Sequence, residues 1–147
     1  MRDWTNCESL RGILRRAMSQ ENVETIRRSV EYFKRTGELL WDVIDPDIEI
    51  HDHDVPDGDV FRGHAGRLEW ENTFVSAWEH VSVEPEEYID AGGDKVVLLH
   101  RLAAQGRGGI SLERQDGIVY VLRDGKIIRM DYYGSRVEAL EAVGLRE

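Results

Sequence analysis

The stretch ISLERQDGIVYVLRDGKIIRMDYYG, residues 110–134, decides the fold. Its centre, Arg123-Asp124-Gly125-Lys126, sets Asp-Gly between two apolar runs. Asp-Gly is the strong two-residue hairpin signal, because both turn positions take positive φ. Both flanking runs therefore read as paired strands, with Gly117 as an expected bulge. Before them, KVVLLHRLAA (95–104) reads as a further strand, and its apolar run predicts burial on both faces. QGRGG (105–109) joins the two as a turn. Upstream, Gly92-Gly93-Asp94 is another turn, and VSVEPEEYI (81–89) is a strand loosened by Pro85. The C-terminal half is thus a meander of four strands.

The N-terminal half has a different period. Leu10, Ile13, Leu14, Ala17 and Met18 predict one helix over 8–18, and Val23, Ile26, Val30 and Phe33 a second over 20–35. Ser19 is the expected cap of the second, and Gly37 its stop. ELLWDVI (38–44) predicts a short helix ending at Asp45-Pro46. IEIHDH (48–53) alternates as a strand, and DVPDGD is a turn cluster. From His64 to His80 helical spacing returns, with Leu68, Trp70, Phe74, Ala77, Trp78 and Val81 as an apolar wall. SRVEALEAVG (135–144) closes as a short helix, with Leu140 and Val143 inward and Gly144 as its cap. Helices, one strand, a helix and then a meander define an α+β fold. The expectation is a curved, mixed, mostly antiparallel sheet, with the N-terminal helices on one face enclosing a cone-shaped pocket. One domain over 1–147 is expected, with residues 1–19 as a helical extension.

Net charge is −10, from 19 basic and 29 acidic residues, which disfavours a nucleic-acid backbone or an anionic membrane surface as partner. No apolar run approaches the length of a membrane helix, and the start lacks an apolar signal core, so a cytoplasmic location is expected. The one cysteine, Cys7, excludes an internal disulfide. No dinucleotide fingerprint, phosphate loop or nucleophile elbow is present. GRGG (106–109) lies between strands and is a turn.

Four pieces carry a family resemblance: IDPDIEIHD, VFRGHAGRLEW, EYIDAGGDKVVLLHRLAAQGRGG and YVLRDGKIIRMDYY. Together they resemble the nuclear transport factor two-like superfamily, which includes ketosteroid isomerase and the SnoaL polyketide cyclases. The resemblance implies a cone of bent sheet with a pocket inside and a homodimer formed through the outer sheet face. It implies a small hydrophobic ligand and proton transfer without a cofactor. The isomerase's base position falls on His51, and its protonated acid on Ile118. The place of its tyrosine is near Val30 and Tyr32.

Alternation groups Glu49, His51 and His53 on one strand face. The resemblance turns that face into the pocket, with His51 as candidate catalytic base and Glu49 orienting it. His-x-His also has metal-ligand spacing, but further convergent ligands are missing. On the 95–104 strand the resemblance turns Arg101 inward, with Asp116 as its carboxylate partner, and His100 outward. Tyr132 and Trp78 complete the expected ligand contacts. The function class is a cofactor-free isomerase, cyclase, dehydratase or hydrolase. The rivals are a non-catalytic binding module and a metal-dependent enzyme using His51 and His53.

Overall fold

Asp124 and Gly125 take φ of 52° and 78°, as the expected hairpin requires. They join strands β5 (Ser111–Arg123) and β6 (Lys126–Tyr133). The computed structural model describes residues 10–55, 58 and 60–145. Ahead of the hairpin come helix α1 (Leu10–Thr36), strand β1 (Ile44–Asp52), the short strand β2 (Val60–Arg62) and helix α2 (Gly63–Val75). Strands β3 (His80–Asp90) and β4 (Lys95–Gln105) follow, and helix α3 (Arg136–Ala142) closes the order. The six strands form one curved sheet in the order β2-β1-β6-β5-β4-β3. All pairs are antiparallel except β1 with β6, which is parallel. The architecture is the α+β fold expected.

The two sheet faces carry two cores. Ile48 and Ile50 of β1, Val96 and Leu98 of β4, Ile118 and Tyr120 of β5 and Met130 of β6 pack with Ile26 of α1 on the inner face. Ile26, Ile48 and Ile50 are fully buried, each contributing about 1.5–3 kcal/mol. On the outer face Val97, Leu99 and Val119 pack under Ala139 and Leu140 of α3. Helices on both sides explain why residues 96–100 are buried without interruption, as their apolar run predicts.

Several expected boundaries are corrected. The two N-terminal helices are one continuous α1, and Ser19 is a buried residue within it. Nothing between Met18 and Gln20 breaks a helix; the apolar pattern only changes phase there. At about 100° per residue, the Leu10–Met18 set lies on the side of α1 opposite Val23, Ile26 and Val30. The 38–44 helix shrinks to a 3-10 turn over Trp41–Val43, and Pro46 lies inside β1. Pro46 falls where the β1–β6 register shifts, so its missing N–H costs no regular ladder bond. Helix α2 ends at Val75 instead of His80, because the sheet captures the chain: Glu79 N donates to Gln105 O at 2.8 Å. Its apolar wall is also thinner than expected. Leu68 is exposed, Trp70 and Phe74 are half-buried, and Gly66 is the helix's buried residue.

Gly117 is not a bulge. It pairs in register with Leu99 and Tyr133, and the shift comes later, at Val121/Leu122. Its role is close approach, since a Cβ there would stand 2.3 Å from the Cβ of Ala139. Gly117→Ala should therefore push α3 off the sheet and cost roughly 1–3 kcal/mol. Thermal denaturation reads this directly; an unchanged melting temperature would mean that α3 yields freely.

Candidate functional site

The inner face carries Asp52 at the end of β1, Tyr132 on β6, Asp116 on β5 and His100 on β4. Register places Asp52 beside Tyr132 and His100 beside Asp116. Asp116 is fully buried, as are His100 and Tyr132 to within a few per cent. The Tyr132 hydroxyl donates to Asp116 Oδ2. Arg114, two residues before Asp116 on the same face, donates from Nε to Asp116 Oδ1 at 2.8 Å. Its other end donates to Asp54 Oδ2 at 2.7 Å and to the Tyr132 hydroxyl oxygen at 3.0 Å. The result is a closed chain of charge-assisted bonds from the Asp54 turn to the buried carboxyl.

Glycine makes the outer end of this chain fit. A Cβ on Gly134, just past β6, would stand 2.2 Å from Asp54 Oδ1. Any side chain there would displace Asp54 from Arg114. Trp70 of α2 flanks the group, its indole N–H donating to Asp52 Oδ2 at 3.0 Å and its ring set edge-on to Tyr132. His100 stacks on Tyr132 with ring centroids 6.4 Å apart, and its buried Nδ1 has no hydrogen-bond partner.

Burial raises the Asp116 carboxyl above the usual range, and the hydrogen bonds from Tyr132 and Arg114 only partly offset this. Burial and the hydrogen bond to Asp116 raise the Tyr132 phenol far above its ordinary value, so it stays protonated. Burial alone would lower the Arg114 guanidinium, but its bonds to Asp54 and Tyr132 hold it above its ordinary value. Burial pushes His100 down to about 4, so it is a neutral imidazole near pH 7. The site thus joins a proton acceptor, a phenol donor, a fixed cation and an unpartnered neutral imidazole.

Of the site residues expected from sequence, Asp116 and Tyr132 come together here. The others do not. His51 and Glu49 lie on the outer face, because Ile48 and Ile50 take the inner one. His51 Nε2 meets Glu49 Oε1 at 3.2 Å, but away from Asp116. Arg101 also faces outward, half-exposed, and pairs with Glu113 at 2.9 Å instead of Asp116. His100, expected outside, is inside. Trp78 lies against Gly106 at the β4–β5 connection, and no hydrogen bond or ring contact joins it to Asp116. Tyr32 lines a separate cleft of about 290 Å³ between α1 and the 3-10 turn, with Arg28, Arg35, Leu40 and Val43.

On the outer face His53 bonds Asp131 at 2.7 Å and stacks on Tyr133 at 4.6 Å. Burial pushes Asp131 up, but bonds from Arg129 and His53 outweigh it and hold the carboxyl below its ordinary value. His64, in the first turn of α2, bonds the Ile44 carbonyl oxygen at 2.8 Å and sets its ring tilted against Trp41, with centroids 4.5 Å apart. Among the described residues no three His, Cys, Asp or Glu side chains converge as metal ligands, so His51 and His53 gain no further ligand. No described helix is long and apolar enough to cross a membrane.

The SnoaL-like domain model matches residues 17–130. The chain belongs to the SnoaL-like family. Solved structures agree on the fold. This SnoaL-like chain is 24% identical to TerC, co-crystallised with polyporic acid, with a TM-score of 0.65 over 84% of this chain and 98% of that one. It is 19% identical to a protein of unknown function with a cystatin-like fold from Xanthomonas campestris, with a TM-score of 0.65 over 85% and 99%. A hypothetical protein with a ketosteroid isomerase-like fold from Catenulispora acidiphila, in complex with trimethylamine, is 20% identical, with a TM-score of 0.56 over 72% and 80%. No curated protein matches the chain.

The acid position expected at Ile118 is apolar, but the buried carboxyl lies two residues earlier on the same face, at Asp116. Arg114 escaped the sequence reading altogether. The signal was its shared parity with Asp116 on one strand: a charge two residues from a buried charge of opposite sign.

Proposed function

We propose that this SnoaL-like chain binds a small hydrophobic molecule on the inner face beside Asp116 and shifts a proton on it without a cofactor. The observation that carries the reading is the fully buried Asp116, bonded by Tyr132 and Arg114 and adjoining the unpartnered Nδ1 of His100. Asp116 accepts a proton from the substrate. Once neutral, it no longer demands the Tyr132 hydroxyl hydrogen, which turns to the substrate oxygen where negative charge gathers. Arg114 holds that charge in place, and His100 offers Nδ1 to a second polar group. The proton returns from Asp116 to another atom, so the net reaction is isomerisation, cyclisation or elimination. The bound polyporic acid of TerC supports a ring compound bearing oxygen as ligand class. We further infer that the chain pairs with a second copy of itself.

A second reading, binding without turnover, is favoured by one observation. Asp116 has no exposed surface, so a ligand that touches its carboxyl must displace side chains that now enclose it, Arg114 among them. Native mass spectrometry of the purified protein, followed by solvent-deuterium exchange into the co-purified molecule, separates the two. The proton-transfer reading expects exchange that falls roughly 10²–10⁴-fold in Asp116→Asn. A bound molecule that never exchanges supports the binding module. No bound molecule, with no exchange into a panel of cyclic ketones, removes both.

A further inference from the structure

Helix α1 carries apolar residues on two opposite sides. Val23, Ile26 and Val30 pack toward the sheet. Leu10, Ile13, Leu14 and Met18, with Ala17 among them, point the other way and are 74%, 47%, 55% and 54% exposed for the four large ones. Scattered single hydrophobics on a surface are ordinary; a contiguous helical stripe of this kind marks an interface. The sheet cannot cover it, because it lies on the far side of the helix. Residues Leu10–Arg16 also precede the segment that matches the family.

We propose that a second copy of the chain docks on this stripe, the two α1 helices packing antiparallel about a twofold axis between Arg15 and Arg16. That register sets Ile13 opposite Met18 and Leu14 opposite the small Ala17, so every member between 13 and 18 meets an apolar partner. Charge selects the same arrangement. Arg11 borders the stripe at its start, and Glu21 continues it beyond Met18. Neither has an ion-pair partner among the described residues. The antiparallel register sets Leu10 of one copy opposite Glu21 of the other and Arg11 opposite Gln20, so Arg11 lies one position from Glu21, twice over, whereas a parallel pair would align like with like.

The outer sheet face, where the family resemblance places a dimer, is poorly suited here. Helix α3 already covers Val97, Leu99 and Val119. What remains around β1 and β6 is Glu49, His51, His53, Arg129 and Asp131, all engaged in polar pairs within the subunit.

This proposal rests on the self-association inferred above, and the experiment separates the two. Sedimentation equilibrium of the full chain, with circular dichroism melts as a control on folding, reads them. The wild type is expected to be a dimer. Leu14→Glu is expected to weaken it at least roughly tenfold with an unchanged fold, and Met18→Lys serves if Leu14→Glu fails to fold. Arg11→Glu and Glu21→Arg should each weaken the dimer, and the double variant should restore it. A wild type that stays monomeric up to about 0.1 mM overturns self-association itself. A dimer indifferent to Leu14→Glu and Met18→Lys lies on another surface and overturns the helix pairing alone. Charge reversals that add without rescue overturn the antiparallel register. Dimerisation that appears only after removal of residues 1–9 assigns the stripe to the chain's own start, and also overturns the proposal.

Discussion

Arg114→Met is expected to cost roughly 3 kcal/mol of stability at neutral pH. The figure sits at the lower end for a broken buried pair because the Arg114 side chain keeps 26% of its exposure. The loss falls on Asp116, which then has Tyr132 as its sole described side-chain partner. Its carboxyl already titrates above the usual range because of burial, and loss of the guanidinium raises it further. The sign of the pH dependence follows. A carboxyl raised in the folded state keeps its proton where the unfolded chain has released it. Stability therefore falls as pH rises from the unfolded value toward the folded one, and levels off beyond. The gap between variant and wild type should be small in acid and widen as pH rises. Urea denaturation between about pH 4 and pH 8 measures it. Adding Asp116→Leu to Arg114→Met should recover most of the loss, because an apolar pair of similar volume needs no solvation. A gap that does not change with pH would show that Arg114 acts through packing.

His100 supplies the second large effect. Burial lowers it from 6.5 to about 4. As pH falls through 6.5 the unfolded chain takes up a proton that the folded chain refuses. Stability is therefore complete above 6.5 and is lost progressively down to about 4. A shift of that size corresponds to a loss on the order of 3 kcal/mol. His100→Phe keeps a ring against Tyr132 and removes the titration, so its stability should be much flatter across this range. The two denaturation curves should converge above pH 6.5 and separate below, with the variant ahead in acid. Parallel curves would assign the acid sensitivity to groups other than His100.

Much of the fold was legible. The Asp124-Gly125 hairpin, the β3–β6 meander and the closing helix follow from turn chemistry and apolar period alone. The faces were harder. Alternation sorts a strand into two sets but does not say which set points in. On β4 the question has no answer in hydropathy, because α1 covers one side and α3 the other, so Val96 to His100 are all buried. On β1 the residues did carry the answer: Ile48 and Ile50 against Glu49 and His51. The family resemblance, applied one residue out of phase, overrode it. That single slip sent His51 and Arg101 inward and His100 outward, as a one-residue shift must. Asp116 and Tyr132 do share the inner face, because on β5 and β6 the alternation of Ile118 and Met130 sets the phase. The helix boundary at Ser19 was a different error. A change of apolar phase within one helix looks, in sequence, like the end of one helix and the start of another.

The parallel pairing of β1 with β6 also governs when the fold can complete. Ile50 and Met130 are neighbours in the sheet but 80 positions apart in the chain. The β3–β6 meander closes through short turns, each with little loop entropy to overcome. Strand β1 has no such local partner except three-residue β2. During synthesis it must wait, without its long strand partner, until the last strand has left the ribosome. The same topology that places Asp52 beside Tyr132 thus makes that end of the site the last to assemble, and leaves β1 as the segment most exposed to misassociation on the way.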